Sequence, residues 1–401
     1  MLHRVLVILA LLVIAAAALS ARADDGAALF ARHCLPCHGV DAVAPVSLAR
    51  SELLRRNRTL AELLVQDGTM PPALARANTH VASRTLSSRE RDAIVAAIKR
   101  GEVGSLPRNE RTAPSAQAVL PAAPWTMPAT GGARLRTFRA PVESQRIRGI
   151  RFADRGALAQ SPIRFVSLAA DPRGSIRRME AADGGAGIEA MGNVGAMPSG
   201  ALGALSRVSP EFLLPAGFHV EIPAGDVAIE TLCEPIGREA AVFPQIALIP
   251  ASPADTRAVR AIAMPVRQLS LEADACRTFE VRQRIAADAE IVAMMVKGGA
   301  FLRTVAIDVA GERVLDVPDF RMAFNEPWIL RAPLSVKAGS EVIARFGFDN
   351  TRANPQQPSE PPLDVAAGLP PFGEDAIAVL LVADAVAAPA QPTSPSPSAS
   401  P

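Results

Sequence analysis

Apolar positions along this chain change their spacing as the sequence proceeds. An unbroken apolar run, Val5 to Leu19, follows His3 and Arg4, and Ala21-Arg22-Ala23 then leads into Asp24-Asp25. A basic start, a run shorter than the ~20 residues of a bilayer span and an A-x-A step read as an export signal over 1–23, cleaved near Ala23, with no stable membrane span left afterwards. Over 24–101 the spacing is helical. Gly26 to His33 supplies a first helix, and Leu53, Leu54, Leu60, Leu63 and Leu64 recur about every turn until Gly68. Ser87-Ser88-Arg89-Glu90 forms a capping box. Ile94, Ala97 and Ile98 then share one face, and Gly101 ends the helix.

Residues 102–133 are Pro-rich with little periodicity and read as a linker, with order near Trp125. From 134 the period shortens. Phe218-His219-Val220-Glu221-Ile222, Val305-Ala306-Ile307-Asp308-Val309 and Val342-Ile343-Ala344-Arg345-Phe346 are short runs bounded by Pro, Gly or polar residues. Such runs predict an all-β region of two antiparallel, jelly-roll-like β-sandwich domains, 134–258 and 259–385. Residues 386–401 are dominated by Pro, Ser and Ala and are expected to be disordered. The expected fold class is therefore multidomain: a small all-α domain over 24–101, then the two sandwiches.

Charge narrows the partners. Lys plus Arg number 42 and Asp plus Glu 40, a net charge of +2 without a long charged block. That balance gives no nucleic-acid footprint. Of four cysteines, Cys34 and Cys37 belong to a motif, and Cys233 and Cys276 stand far apart. Export permits an intramolecular disulfide between the latter two, although spacing alone cannot test its geometry.

Cys34-Leu35-Pro36-Cys37-His38 is a C-x-x-C-H sequence. Two thiols one helical turn apart can add to the two vinyl groups of one porphyrin, and the adjacent imidazole becomes the proximal iron ligand. C-x-x-C also serves as a redox dithiol or half a zinc site, but no second ligand pair lies nearby and a βαβ pattern is missing. The expected cofactor is one covalent haem c on Cys34 and Cys37, with His38 proximal. Met70, in Asp67-Gly68-Thr69-Met70-Pro71-Pro72, is the expected distal ligand, with His80 and His33 as rivals. His33 lies too close to the motif to reach the far face. The order of haem motif, Met-Pro loop and final helix resembles the small class I cytochromes c. That resemblance implies a His/Met-ligated iron, bound by His38 and Met70, and one-electron transfer to a redox partner protein.

Asp349-Asn350-Thr351, then Asn354-Pro355 and Pro358, resemble the D-N-S-x-x-N-P-x-x-P segment of the copper type II, ascorbate-dependent monooxygenases, the peptidylglycine-hydroxylating enzymes among them. Trp328-Ile329-Leu330, Leu214-Pro215-Ala216-Gly217 and Ile222-Pro223-Ala224-Gly225-Asp226 extend the likeness over residues 134–385. The family holds two coppers with five His and one Met. Its His-His pair falls here on Arg164-Phe165, its next His near Leu232-Cys233, its His-x-His on Ala293-Met294-Met295, and its late Met near 372–375, where there is none. Only His219 follows residue 80, so copper is not expected. Met294 and Met295 are adjacent on a strand and should face opposite ways, as packing.

The reading that results is an exported, periplasmic mono-haem c-type cytochrome with a non-catalytic, copper-less β region for partner or ligand binding, without independent catalysis. The alternative is a monooxygenase-like oxidoreductase whose β region holds an unrecognised active site fed by the haem.

Overall fold

The computed structural model describes residues 26–34, 58–66, 88–100, 117–153, 161–183, 185–189, 201–206, 209–321, 327–369 and 373–385. Three helices come first: α1 (Gly26–His33), α2 (Arg58–Gln66) and α3 (Ser88–Arg100). α3 starts at the capping box and buries Ile94, Val95, Ala97 and Ile98. These pack with Ala27, Phe30, Cys34 and Val65 in one small apolar cluster. Gly26 fits against α3 because a Cβ there would meet the Ala93 carbonyl.

The expected fold class needs correction. Of the described residues, 53% are strand and only 12% helix, and no all-α cytochrome domain is evident. Helical spacing dictates local helices, but a domain also needs the chain between them, and three short helices bury a small apolar set by comparison with the sheets.

The strands are β1 (Gln117–Val119), β2 (Trp125–Met127), β3 (Arg134–Val142), β4 (Gln145–Phe152), β5 (Ile163–Asp171), β6 (Ala201–Ser206), β7 (Glu211–Leu213), β8 (Phe218–Ile222), β9 (Gly225–Cys233), β10 (Ala240–Val242) and β11 (Ile246–Pro250). They continue with β12 (Arg257–Pro265), β13 (Ser270–Leu271), β14 (Cys276–Arg284), β15 (Ala289–Gly298), β16 (Leu302–Val309), β17 (Glu312–Val317), β18 (Trp328–Val336), β19 (Glu341–Asp349), β20 (Val365–Ala366) and β21 (Ala376–Asp384). Among the described residues one helix, α4 (Ser175–Asp183), interrupts them. The all-β expectation missed α4, which buries Ile176 while Met179 stays exposed, too little periodicity to register.

A nine-stranded sheet in the order β1-β11-β4-β8-β12-β21-β15-β18, with β7 beside β4, runs through the body. Four-stranded sheets β3-β9-β5-β6 and β14-β19-β16-β17 complete the two cores. The sheet is continuous because β8 and β12 pair in parallel, Phe218 opposite Arg257 and Val220 opposite Val259. That junction departs from a purely antiparallel arrangement. The Pro-rich stretch contributes as well: β1 pairs with β11, and β2 with β10.

Both cores share the middle strands. On β21, Ile377, Val379, Leu381 and Ala383 enter one core, and Ala376, Ala378, Leu380 and Val382 enter the other. Successive side chains point to opposite faces, so a strand buried on both must be apolar throughout, and residues 376–383 are. β19 covers only one core and alternates, with Val342, Ala344, Phe346 and Phe348 inward. Met294 enters one core and Met295 the other, as strand geometry requires. Among the described residues no helix is long and apolar enough to cross a membrane.

Candidate functional site

The C-x-x-C-H sequence begins where α1 ends. The Cys34 N–H donates to the Phe30 carbonyl at 2.8 Å, continuing the last helical turn, and Cys34 is buried in the cluster of Phe30, Ile94 and Ile98. Cys37, His38, Met70 and the rival His80 lie outside the described residues, and of His33 only the helical backbone is described.

Arg164-Phe165 and Leu232-Cys233 lie on neighbouring strands. β5 and β9 pair with Ile163 opposite Cys233 and Phe165 opposite Leu232. Arg164 Nε reaches Glu234 Oε2 at 2.8 Å. Burial pushes the Cys233 thiol up to about 12, with Arg164 drawing it back somewhat, so it is an inert core thiol. His219 is buried in β8 with both ring nitrogens lacking a hydrogen bond, and Glu221 Oε1 lies 3.7 Å from Nε2. A single buried imidazole between Phe218 and Val220 is strand packing rather than a ligand set. Among the described residues no group of three or more His, Cys, Asp or Glu is arranged to hold a metal ion.

Cys233 and Cys276 are unbonded and sit in different sheets. The expected disulfide is not formed in this structure: Cys233 is locked between β3 and β5, and Cys276 opens the edge strand β14. An alkylating reagent should label Cys276 in the native chain and reach Cys233 only in denaturant, as read by peptide mass mapping. Labelling of both at one rate would contradict the burial of β9.

Asp349, Asn350 and Asn354 are stitching residues. The Asn350 Nδ2 donates to the carbonyls of Glu272 and Leu363, both at 2.8 Å, and the Asn354 Nδ2 to those of Ala300 and Asp349. The two asparagines satisfy backbone carbonyls, and Asp349 Oδ1 accepts the Thr351 N–H at 2.8 Å, the turn roles that these residue types favour. Glu312 and Asp316 lie on β17, and Asp319 pairs with Arg303 and Arg321, so none is a free acid near a cleft.

The sequence reading missed the most unusual chemistry of the β body. Lys297 on β15 places its Nζ 2.8 Å from Glu230 Oε1 on β9 and 2.8 Å from Asp375 Oδ2. Its side chain is 8% exposed and that of Glu230 2%, so the pair is taken almost wholly out of water. Burial alone would pull Lys297 down, but Asp375 and Glu230 outweigh it and hold the ammonium above its ordinary value. Burial pushes Glu230 up, with Lys297 pulling back, and Ser167 Oγ donates to Glu230 Oε1 at 3.4 Å. Glu230 Oε2 is buried without a partner. Next to Asp375, Glu374 accepts the N–H groups of Gly299, Phe301 and Asp375. Burial, reinforced by Asp375, pushes Glu374 up to about 8 despite those donors. A sequence signal existed, since Glu230 and Lys297 are lone charges inside apolar strand runs.

A cleft of about 530 Å³ opens where the ends of β5 and β6 meet β8, β12 and β21. Arg173, Glu221, Arg260 and Asp384 line it, with Val220 and Val259 on its wall.

No protein-family model matches the chain, and no curated protein does. Solved structures with partial likeness include the major capsid protein P2 of bacteriophage PM2 (9% identity, 67% of this chain and 97% of that one, TM-score 0.25). A Paenibacillus xanthan lyase (12%, 66% and 26%, TM-score 0.17) and the STIV major capsid protein (12%, 67% and 94%, TM-score 0.19) are others. At such scores none of these defines a fold or a function for the chain.

Proposed function

We propose that the chain is an exported mono-haem c-type cytochrome that passes single electrons, with a β body that is not catalytic and serves partner or ligand binding. The observation that carries this reading is C-x-x-C-H with its first cysteine fixed in the last turn of α1. Cys34 and Cys37 would anchor the macrocycle, His38 would be its proximal ligand and Met70 its distal one. A haem so held supplies a one-electron iron couple. α1 and α3 keep Cys34 in place and away from water through Phe30, Ile94 and Ile98. The basic, apolar start of the chain supports export, which covalent haem attachment requires.

For the β body, one imidazole after residue 80 cannot make two copper sites, and Arg164 on β5 pairs with Glu234, the residue after β9. The second reading is an oxidoreductase with an active site in the β region fed by the haem, and the charged cleft at Arg173, Glu221, Arg260 and Asp384 favours it. Iron and copper analysis of protein matured with a c-type haem assembly system separates them. One iron and no copper per chain is expected, and stoichiometric copper would put the monooxygenase-like reading first.

A further inference from the structure

The cleft where the ends of β5 and β6 meet β8, β12 and β21 measures about 530 Å³, within the size range of small-ligand sites. Its floor is apolar: Ala170, Ala201 and Leu202 come from one sheet, Val220, Val259 and Val382 from the other. Four charged side chains stand at its mouth. Glu221, Arg260 and Asp384 belong to the nine-stranded sheet, where β12 runs between β8 and β21. Two carboxylates and one guanidinium give that wall a net charge of −1. Arg173, just past β5, supplies a single positive charge on the other wall. We propose that this cleft captures a short peptide as a zwitterion, its free carboxylate on Arg173 and its free ammonium on the wall of Glu221, Arg260 and Asp384. The proposal rests on the ligand-binding role given to the β body and names the ligand class.

The charges at the mouth are unspent within the chain. Arg260 Nε lies 3.9 Å from Asp384 Oδ1, beyond hydrogen-bond reach. Arg257, on the same strand, shows the alternative: it closes on Glu290 at 2.7 Å and donates to the Asp384 carbonyl at 2.8 Å. Among the described residues Arg173 has no carboxylate partner. Glu221 accepts no hydrogen bond, with His219 Nε2 3.7 Å away. The side chains of Glu221 and Asp384 are 72% and 87% exposed, so a ligand reaches them without any strand moving.

Charge of opposite sign on the two walls selects a ligand that carries both signs at its two ends, and opposes one that carries a single sign throughout. A guanidinium matches a carboxylate with two parallel N–H donors, which suits Arg173 to the C-terminal end. An ammonium brings three donors and no acceptor, which suits it to a wall with two carboxylates. Solvated charges alone attract weakly, so the apolar floor must contribute, and it does so by covering small apolar side chains. The described lining contains no serine, cysteine or histidine, so the cleft suits capture of a peptide rather than nucleophilic attack on one.

Isothermal titration calorimetry of the full chain with trialanine and with alanyl-leucyl-alanine tests this. Both free peptides should bind, and C-amidation or N-acetylation should each weaken binding by about tenfold, the loss expected for one charged hydrogen-bonded end. Arg173→Gln should weaken the free peptides by a similar factor and leave the C-amidated forms unchanged. Glu221→Gln combined with Asp384→Asn should act on the free peptides and spare the N-acetylated forms. That selectivity separates recognition of an end from a general change of shape. These side chains are exposed, so urea unfolding of each variant should match the wild type. No binding of either free peptide, equal binding of free and blocked peptides, or a loss in Arg173→Gln that is the same for free and amidated peptides overturns the proposal. Protein with and without haem should give the same affinities, so failure here and failure of the electron-transfer reading are told apart.

Discussion

Lys297→Met is expected to cost about 3–5 kcal/mol of folding stability, the usual penalty for removing one partner of a buried ion pair. The side chain is nearly the same length, so little packing is lost. What is lost is the cation paired with Glu230, whose second oxygen already lacks a partner among the described residues. Asp375 can turn toward solvent, being partly exposed, but Glu230 cannot. Without Lys297, burial pushes the Glu230 carboxyl further up. A folded-state value above the unfolded one gives stability that is full at low pH and fades as pH rises. The deficit should therefore be smallest near pH 5 and grow toward pH 8, read by urea unfolding at several pH values. Adding Glu230→Leu should restore part of it by removing the stranded charge. A loss below about 1 kcal/mol at pH 8, in the range of an exposed pair, would mean that the pair is hydrated rather than buried.

Cys34→Ala combined with Cys37→Ala should eliminate covalent haem altogether. Each thiol offers one thioether, and nothing else in the motif can bond a vinyl group. After c-type maturation, a denaturing gel stained for haem should show a band for wild type and none for the double variant. The β body should fold as before, because Cys34 packs within the helical cluster of Phe30, Ile94 and Ile98. Haem that stays with the double variant through denaturation would place attachment elsewhere.

Local patterns in the sequence were legible where one face of an element is buried. Residues 218–222 are β8, and residues 305–309 and 342–346 lie within β16 and β19, each read from short β-branched or alternating runs. The capping box at Ser87-Ser88-Arg89-Glu90 located α3 to the residue. Long-range pairing was not legible. The parallel junction of β8 with β12 joins segments almost forty residues apart, and nothing in either run specifies its neighbour. β12, β15 and β21 serve two cores at once, which periodicity reports only as unusually apolar strands. Helical spacing over 24–101 was over-read as a domain, since α1, α2 and α3 are genuine helices but do not make the described chain an all-α fold there.

The chemistry divides in the same manner. Cys34 could be singled out because C-x-x-C-H is a contiguous motif. Glu230 and Lys297 stand out only as charges in apolar runs, and their meeting with Asp375 was not legible, because only β9, β15 and the approach to β21 bring together residues up to 145 positions apart, between Glu230 and Asp375.

The pyridine haemochrome spectrum of the matured, denatured chain tests the central reading most directly. One haem per chain with the spectrum of two saturated vinyl groups is the expected result. Protein that emerges without haem, or with haem that solvent extraction removes, would contradict it.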